Sequence, residues 1–389
     1  GQHVFVAGAE WAALHGALRS VRRRLCVAVG RRALGTPAPR GGKRDPLVRK
    51  AVPARLGRVG RGHADGRTVD RVEATKQSES PPSNQACRVD PSPKRQQGCM
   101  PLSLPSGKQW VAGHYDRLDD PYRRLWGEHL HHGLWTEPSL SVGQAVRGLV
   151  RQVAGDARMN PGSRVCDVGC GYGAPARLWA REYGARVTGF TVSGAQYSRA
   201  RRVAVDGPTP TYRLQDFRSH DLPAASMDAV VGIESLTHIH PPQRVFQEAA
   251  RLLCPGGRLV LCVWMAALRV PPWARRRLLD PISEAGRLWG LPTATALHRW
   301  ATEAGLRVER LDDLTPLVRR TWTVVLRRVA RGLFSDPVLR RILADKSHPG
   351  HGFARVLPRI WAAQHLGVLR YGWLVAAQRD DGAAGTPAG

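Results

Sequence analysis

From about residue 160 onward, short apolar runs alternate with longer stretches in which apolar residues recur every three or four positions. The short runs predict β-strands at 164–168, 186–190, 211–214, 227–233, 258–264, 306–311 and 367–378. The longer stretches predict helices at 174–185, 193–205, 242–257 and 294–305. This alternation implies a parallel sheet covered on both faces, which is a Rossmann-like, doubly wound α/β fold of seven strands.

The pattern also predicts how the chain is divided. Some fifty residues rich in Leu, Arg and Trp separate the last two strands, and they predict a helical insertion at about 313–365. We expect residues 100–150 to form a helical N-terminal segment, residues 151–378 to form the main domain, and residues 379–389 to be a frayed tail.

Charge and composition set residues 1–99 apart. They hold 20 of the 59 Lys and Arg but only 7 of the 31 Asp and Glu, and the first methionine is Met100. Such a basic segment, rich in Pro and Gly, cannot bury enough apolar surface to fold, so we expect a disordered extension. It is either translation upstream of the true start or an organellar transit segment.

Other features narrow the class of protein. No run of about 18 apolar residues occurs, so no membrane span is predicted. The seven cysteines are scattered without zinc spacing, which indicates reduced thiols and predicts no metal site. We expect a cytoplasmic protein, or an organellar one if residues 1–99 are a transit segment.

The strongest chemical signal is the stretch "RVCDVGCGYGAPARL", which joins the first predicted strand to the first helix. Gly169, Gly171 and Gly173 expose bare backbone where an open parallel sheet binds its ligands. Gly169, Gly171 and Ala174 also fit the dinucleotide fingerprint, so NAD is a candidate. However, Asp167 would repel a pyrophosphate, and no acidic residue follows about 20 positions later. The ligand is therefore expected to carry a cation near this loop.

The segment from Val165 to Gly173, together with "LLCPGGRLVL", resembles the motifs of class I S-adenosylmethionine-dependent methyltransferases. More narrowly, "YDRLDDPYRRLWGEHLHHGLW" and "DDLTPLVRRTWTVVL" are similar to segments of the tocopherol O-methyltransferase-like small-molecule enzymes. The resemblance implies S-adenosyl-L-methionine as cofactor, an N-terminal helical lid and an acceptor pocket shaped by the insertion. Tryptophans in these segments suggest a ring-bearing or apolar acceptor, although core packing explains them equally well.

The same resemblance assigns residues to the cofactor. The implied cofactor-binding residues are Asp167, Gly169, Cys170, Gly171, Thr191, Ser193, Gln196, Asp216, Phe217 and Glu234. Asp167 would order the loop that receives the methionine part, and Asp216 with Phe217 would contact adenine. Thr191, Ser193 and Gln196 would lie near the ribose. Ser193 and Gln196 also have the spacing of a helix capping box, and both roles can coexist.

The acceptor and the base are less determined by sequence. Enzymes that methylate base amines tend to carry D/N-P-P-Y/F after the fourth strand, where this chain has Glu234-Ser235-Leu236. This departure favours a small-molecule acceptor, methylated on oxygen or carbon, over any specific nucleic acid. His238 and His132 are the candidate general bases. The alternatives are a lipid methyltransferase like the cyclopropane synthases and a protein that binds the cofactor without turnover.

Overall fold

A computed structural model describes residues 108–117, 127–205 and 207–379. The predictions for residues 1–99 and for the C-terminal tail beyond residue 379 lie outside the described residues. The described chain forms a seven-stranded sheet of order β3-β2-β1-β4-β5-β7-β6, with helices on both faces. This is the Rossmann-like methyltransferase fold that the sequence predicts.

The bounds of the elements agree closely with the apolar pattern. The strands are β1 (Arg164–Val168), β2 (Arg186–Thr191), β3 (Thr211–Leu214), β4 (Met227–Ile233), β5 (Leu253–Ala266), β6 (Arg307–Asp313) and β7 (Leu369–Ala377). The longer helices outside the insertion are α1 (Lys108–Arg117), α2 (Val142–Asp156), α3 (Ala174–Tyr183), α4 (Gly194–Arg202), α5 (Gln243–Leu252), α6 (Asp280–Gly286) and α7 (Ala294–Glu303). The helical insertion lies between β6 and β7 as predicted, and it contains α8 (Thr315–Val318), α9 (Arg320–Ser335), α10 (Pro337–Ala344) and α11 (Pro349–His365).

Two features differ from the sequence prediction. The sheet is mixed rather than parallel, because β7 runs antiparallel to both β5 and β6. The chain enters β7 directly from the helical insertion, and this connection lets it return in the opposite direction. Helix α5 also ends at Leu252, before the Pro-Gly-Gly turn in which the predicted helix ends. Strand β5 begins at Leu253, and its pairing with β4 shifts register before Arg258, so the turn forms a bulge inside the strand.

The core explains why the helices lie where they do. Helix α5 buries one apolar stripe against the sheet, formed by Val245, Phe246, Ala249 and Leu252 as predicted. The insertion contributes to a second apolar cluster, which contains Trp322, Ile360 and Ile282. No helix in the described part of the chain is both long and apolar enough to cross a bilayer.

Candidate active site

A cavity of about 150 Å³ lies at the carboxyl ends of the parallel strands, where the strand order reverses between β1 and β4. In an open α/β sheet, this is the place where ligands bind. Most of the predicted cofactor residues line the cavity: Asp167, Gly169, Cys170, Gly171, Thr191, Gln196, Asp216, Phe217 and Glu234. The fold therefore brings together residues that the sequence spreads over almost seventy positions.

The loop of residues 169–172 forms a wall of the cavity in which backbone atoms are exposed. Gly169 and Gly171 have φ values of 75° and 55°, in the left-handed region that favours glycine. A Cβ atom on Gly169 would lie 2.5 Å from the Cβ of Ser235, so this position must remain glycine for the β1 and β4 loops to meet. A Cβ atom on Gly171 would have no atom within 4 Å, although this residue lines the cavity. A side chain at Gly171 would therefore project into open space at the wall of the cavity.

Asp167 supplies the charge of this wall. Its side chain is buried at the end of β1, and Oδ2 has no hydrogen-bond partner among the described residues. Burial raises the pKa of Asp167 to about 7. A buried carboxylate oxygen without a donor is costly unless a ligand provides one. The position suits a cationic N–H donor such as an ammonium group.

The residues Thr191, Ser193 and Gln196 form one hydrogen-bonded turn. The hydroxyl of Thr191 donates to Gln196 Oε1 (2.9 Å) and accepts from the backbone N–H of Ser193 (3.2 Å). The hydroxyl of Ser193 accepts from the backbone N–H of Gln196 (3.2 Å), which caps helix α4. Thr191 and Gln196 line the cavity, but the structure does not bring Ser193 to it. Ser193 instead donates to Asp116, and it thereby fastens α1 to the start of α4.

At the end of β3, Asp216 is held by an arginine two residues away. The guanidinium of Arg218 donates from Nε to Asp216 Oδ1 (3.0 Å) and from Nη2 to Asp216 Oδ2 (2.6 Å). Asp216, Phe217 and Arg218 all line the cavity. The ion pair fixes the carboxylate at the edge of the cavity, and it adds a positive charge that sequence reasoning missed.

Glu234 follows β4 with a φ of 59°, a strained conformation for a residue with a side chain. Its Oε1 accepts from the backbone N–H and Nδ1 of His132 (2.8 and 2.9 Å) and from the hydroxyl of Tyr371 (2.9 Å). Its Oε2 accepts from the indole N–H of Trp264 (2.8 Å). Burial by itself would raise the pKa of Glu234, but the interactions with His132 outweigh it and lower the pKa to about 2. Four donors thus hold an ionised carboxylate that ties the N-terminal segment to the sheet.

His132, one of the two candidate bases, has both ring nitrogens engaged. Its Nε2 accepts from the indole N–H of Trp322 (2.7 Å), so the hydrogen lies on Nδ1, which donates to Glu234. His132 does not line the cofactor cavity, although it lines a second cavity beside it. This arrangement positions the loop of residues 131–135. The partner of Nε2 is an indole N–H, which can only donate and therefore cannot relay a proton to the ring.

His238, the other candidate base, lies in the short 3₁₀ helix after β4 and lines both cavities. Its Nδ1 lies 3.2 Å from the carbonyl oxygen of Arg287, which can only accept, so Nδ1 carries the hydrogen. Its Nε2 therefore accepts from the hydroxyl of Tyr115, 2.9 Å away. Burial lowers the pKa of His238 to about 4 and keeps the ring neutral near pH 7.

The second cavity, of about 80 Å³, adjoins the first one. Five residues line both cavities: Tyr115, Leu130, His131, Glu234 and His238. The remaining wall is largely aromatic and aliphatic, with Trp264, Ile282, Leu288, Trp322, Phe353 and Ile360. A small apolar ligand in this cavity would meet a ligand of the first cavity at the shared wall.

The wall residues that sequence reasoning missed include Tyr115, Arg218 and Trp289. Trp289 stacks on His240, with ring centroids 4.9 Å apart. Tyr115 opens the N-terminal segment on which the family resemblance rests, so that segment was the available signal. No motif contains Arg218 or Trp289, since only the folded loops bring them to the cavity.

Comparison with known proteins decides the family. A family model described as a methyltransferase domain matches residues 166–261. The 27-O-demethylrifamycin SV methyltransferase of Amycolatopsis mediterranei is 34% identical over 221 residues, which cover 55% of this chain and 79% of that relative. This chain belongs to the class I S-adenosylmethionine-dependent methyltransferases. The methyltransferase is also 31% identical to the probable tocopherol O-methyltransferase of rice over 173 residues, or 41% of this chain and 48% of that relative.

Solved structures share the fold of the methyltransferase. The mycolic acid cyclopropane synthase CmaA1 matches with a TM-score of 0.62 at 19% identity, over 70% of this chain and 99% of that one. The [4+2]-cyclase SpnF matches with a TM-score of 0.58 at 24% identity, over 70% of this chain and 97% of that one. At these identities the likeness shows the fold alone.

S-adenosylmethionine is the cofactor of this methyltransferase, and the chain's own residues fit it. The unpartnered carboxylate oxygen of Asp167 suits the cofactor's ammonium group, and Gly171 leaves open space beside it. NAD is thereby rejected as a candidate, in agreement with the argument from Asp167. Of the predicted features, the recognition of the family, the fold class and the cofactor are confirmed.

Asp167 gives a prediction that separates stability from binding. Its pKa of about 7 in the folded protein exceeds the value of about 3.9 in an unfolded chain, so the charged form costs stability, increasingly as the pH rises from about 4 to 7. We expect Asp167→Asn to raise the melting temperature of the cofactor-free protein at pH 8 but not at pH 4. Affinity for S-adenosylmethionine should fall on the order of 10- to 100-fold, because a charge-assisted hydrogen bond is lost. Calorimetry that shows unchanged affinity would contradict this role.

Proposed function

We propose that this enzyme methylates a small, ring-bearing or apolar molecule on oxygen or carbon, with oxygen favoured. The observation that carries the proposal is the wall shared by the two cavities, where Tyr115 and His238 stand between the cofactor cavity and an aromatic pocket. The aromatic and aliphatic lining of that pocket supports an apolar acceptor. Its volume of about 80 Å³ favours a compact acceptor over a long acyl chain.

We infer that different predicted residues bind different parts of the cofactor. Asp167, Gly169, Cys170 and Gly171 would hold the methionine part, and Thr191 with Gln196 would face the ribose. Asp216 and Phe217 would face adenine. The bound cofactor supplies an electrophilic methyl group on a good leaving group, so the protein's contribution is to align the acceptor, exclude water and accept a proton. The four hydrogen bonds of Glu234 support alignment, because they lock the wall between the cavities.

We infer that His238 is the general base. Its Nδ1–H is fixed on the carbonyl of Arg287, so the lone pair of Nε2 points at the hydroxyl of Tyr115. The pKa of Tyr115 is raised by burial and by the charge of Glu234, which keeps this hydroxyl protonated. An acceptor hydroxyl beside Tyr115 could pass its proton through the phenol to Nε2, or it could replace the phenol and bind Nε2 directly.

The proposed partners and location rest on the sequence after β4, on residues 1–99 and on one relative. The sequence Glu234-Ser235-Leu236, in place of D/N-P-P-Y/F, supports the absence of a specific nucleic-acid substrate. We place the reaction in the cytoplasm, or in an organelle if residues 1–99 act as a transit segment. The name of the rice relative, which includes the word chloroplastic, is compatible with the second location.

Transfer of labelled methyl groups tests the function. The full chain is incubated with methyl-labelled S-adenosylmethionine and separate pools of ring-bearing alcohols and phenols, acyl lipids, and small amines. We expect label in the ring-bearing pool, with the product identified by mass spectrometry. Label only in acyl lipids would favour the cyclopropane-synthase-like alternative. Tight cofactor binding with no label in any pool would favour a binding protein without turnover.

A further inference from the structure

The connection between β5 and α6 exposes an unusual segment, residues 268–277 with the sequence LRVPPWARRR, here called the Arg-Trp segment. It contains four arginines and no acidic residue. Leu268 is 76% exposed and Trp273 is 52% exposed. The arginines at 269, 276 and 277 are exposed as well. Large apolar side chains and a block of like charge thus share one short stretch of surface.

Buried residues within the Arg-Trp segment attach it to the core, so its exposed side chains have a fixed position. Ala274 is fully buried in the apolar cluster of the helical insertion, and Val270 packs against the same cluster. Pro271 and Pro272 restrict the backbone just before Trp273. The backbone N–H of Ala267 donates to the carbonyl of Val368 (3.0 Å). This hydrogen bond holds the start of the Arg-Trp segment beside the turn that contains the exposed Leu366. The outward position of Trp273 and Leu268 is therefore a property of the fold and not of a loose loop.

The chemistry of the patch indicates its partner. Tryptophan and leucine side chains partition into the interfacial region of a bilayer, and arginines beside them bind anionic headgroups. A nucleic acid would engage the arginines but would leave the exposed leucine in water. We propose that the Arg-Trp segment docks this enzyme on the surface of an anionic lipid bilayer. The proposal is independent of the acceptor and of the base.

Vesicle co-sedimentation of the full chain tests the docking. Vesicles of phosphatidylcholine alone are compared with vesicles that contain about 30% phosphatidylglycerol, at low salt and at about 0.5 M KCl, where exposed charges are largely screened. We expect binding to the anionic vesicles that persists in part at the higher salt. The double variant Leu268→Ser/Trp273→Ser should bind about tenfold more weakly at that salt. The triple variant Arg275→Gln/Arg276→Gln/Arg277→Gln should lose most of the preference for phosphatidylglycerol.

A matched control separates the patch from general stickiness. Leu333 and Phe334, at the end of α9, are 40% and 86% exposed, so Leu333→Ser/Phe334→Ser removes similar apolar surface elsewhere. We expect this control to bind vesicles like the unchanged chain. Equal loss in the control, or no loss in the Leu268→Ser/Trp273→Ser variant, overturns the proposal. The proposal is also overturned if Leu268→Ser/Trp273→Ser weakens binding to a DNA duplex but leaves vesicle binding unchanged. The same holds if this variant changes self-association in sedimentation velocity but leaves vesicle binding unchanged.

Discussion

Replacing Gly171 with valine should abolish cofactor binding while the protein remains folded. The position lines the cofactor cavity, and a Cβ atom there would project into open space instead of meeting the protein. The valine methyl groups would therefore occupy the ligand's volume. We expect affinity for S-adenosylmethionine to fall on the order of 100-fold or more, equivalent to about 2.7 kcal/mol, in the range that severe overpacking costs. Isothermal titration calorimetry measures this loss.

Gly305→Val is the matched control for that experiment. Gly305 follows α7 with a φ of 86°, a Cβ atom added to it would likewise have no atom within 4 Å, and it does not line the cofactor cavity. Both substitutions place valine in the left-handed region, which costs about 1–2 kcal/mol of stability. We expect similar falls in melting temperature for the two variants but near-normal cofactor affinity for Gly305→Val. Equal affinity in the two variants would show that backbone strain, and not occupied space, accounts for any loss.

His238→Ala should lower kcat on the order of 100-fold with little change in cofactor affinity, which is what removal of a general base typically costs. Because the pKa of His238 is lowered to about 4, the ring is neutral at and above about pH 5. We therefore expect kcat to stay constant down to about pH 5 and to fall as the pH drops through 4, where protonation removes the base. An acid limb near pH 6.5 would indicate a base with an ordinary imidazole pKa instead.

Two further variants locate the proton path. Tyr115→Phe should lower kcat almost as much as His238→Ala if the phenol relays the proton, and it should have little effect if the acceptor binds Nε2 directly. His132→Ala removes the acceptor of the hydrogen bond from the indole N–H of Trp322 and one of the four hydrogen bonds of Glu234, so we expect mainly a loss of stability of roughly 2–4 kcal/mol. A 100-fold loss of kcat in folded His132→Ala, with normal kcat in His238→Ala, would move the role of the base to His132.

Much of the fold was determined by the sequence, because local periodicity records which face of each element is buried. The apolar stripe of α5 and the short run of β1 each specify an element wherever they pack. The glycines at 169 and 171 likewise indicate a turn in which other atoms come close to the backbone, since few other residues accept their φ values. The antiparallel direction of β7 could not be predicted from the sequence, because a buried strand has the same apolar pattern in either direction.

The chemistry of the site was decided by the tertiary structure. Sequence alone put His238 forward as the base, with His132 as its competitor. The folded contacts separate them, because Nε2 of His132 faces an indole N–H that can only donate, whereas Nε2 of His238 faces the hydroxyl of Tyr115, which can donate and accept. The same holds for Ser193, whose spacing suited both ligand contact and capping, and which the fold uses as a cap. Hydrogen-bond partners more than a hundred residues apart leave no periodic trace in a single sequence. They exist only where the strand ends and the N-terminal segment meet.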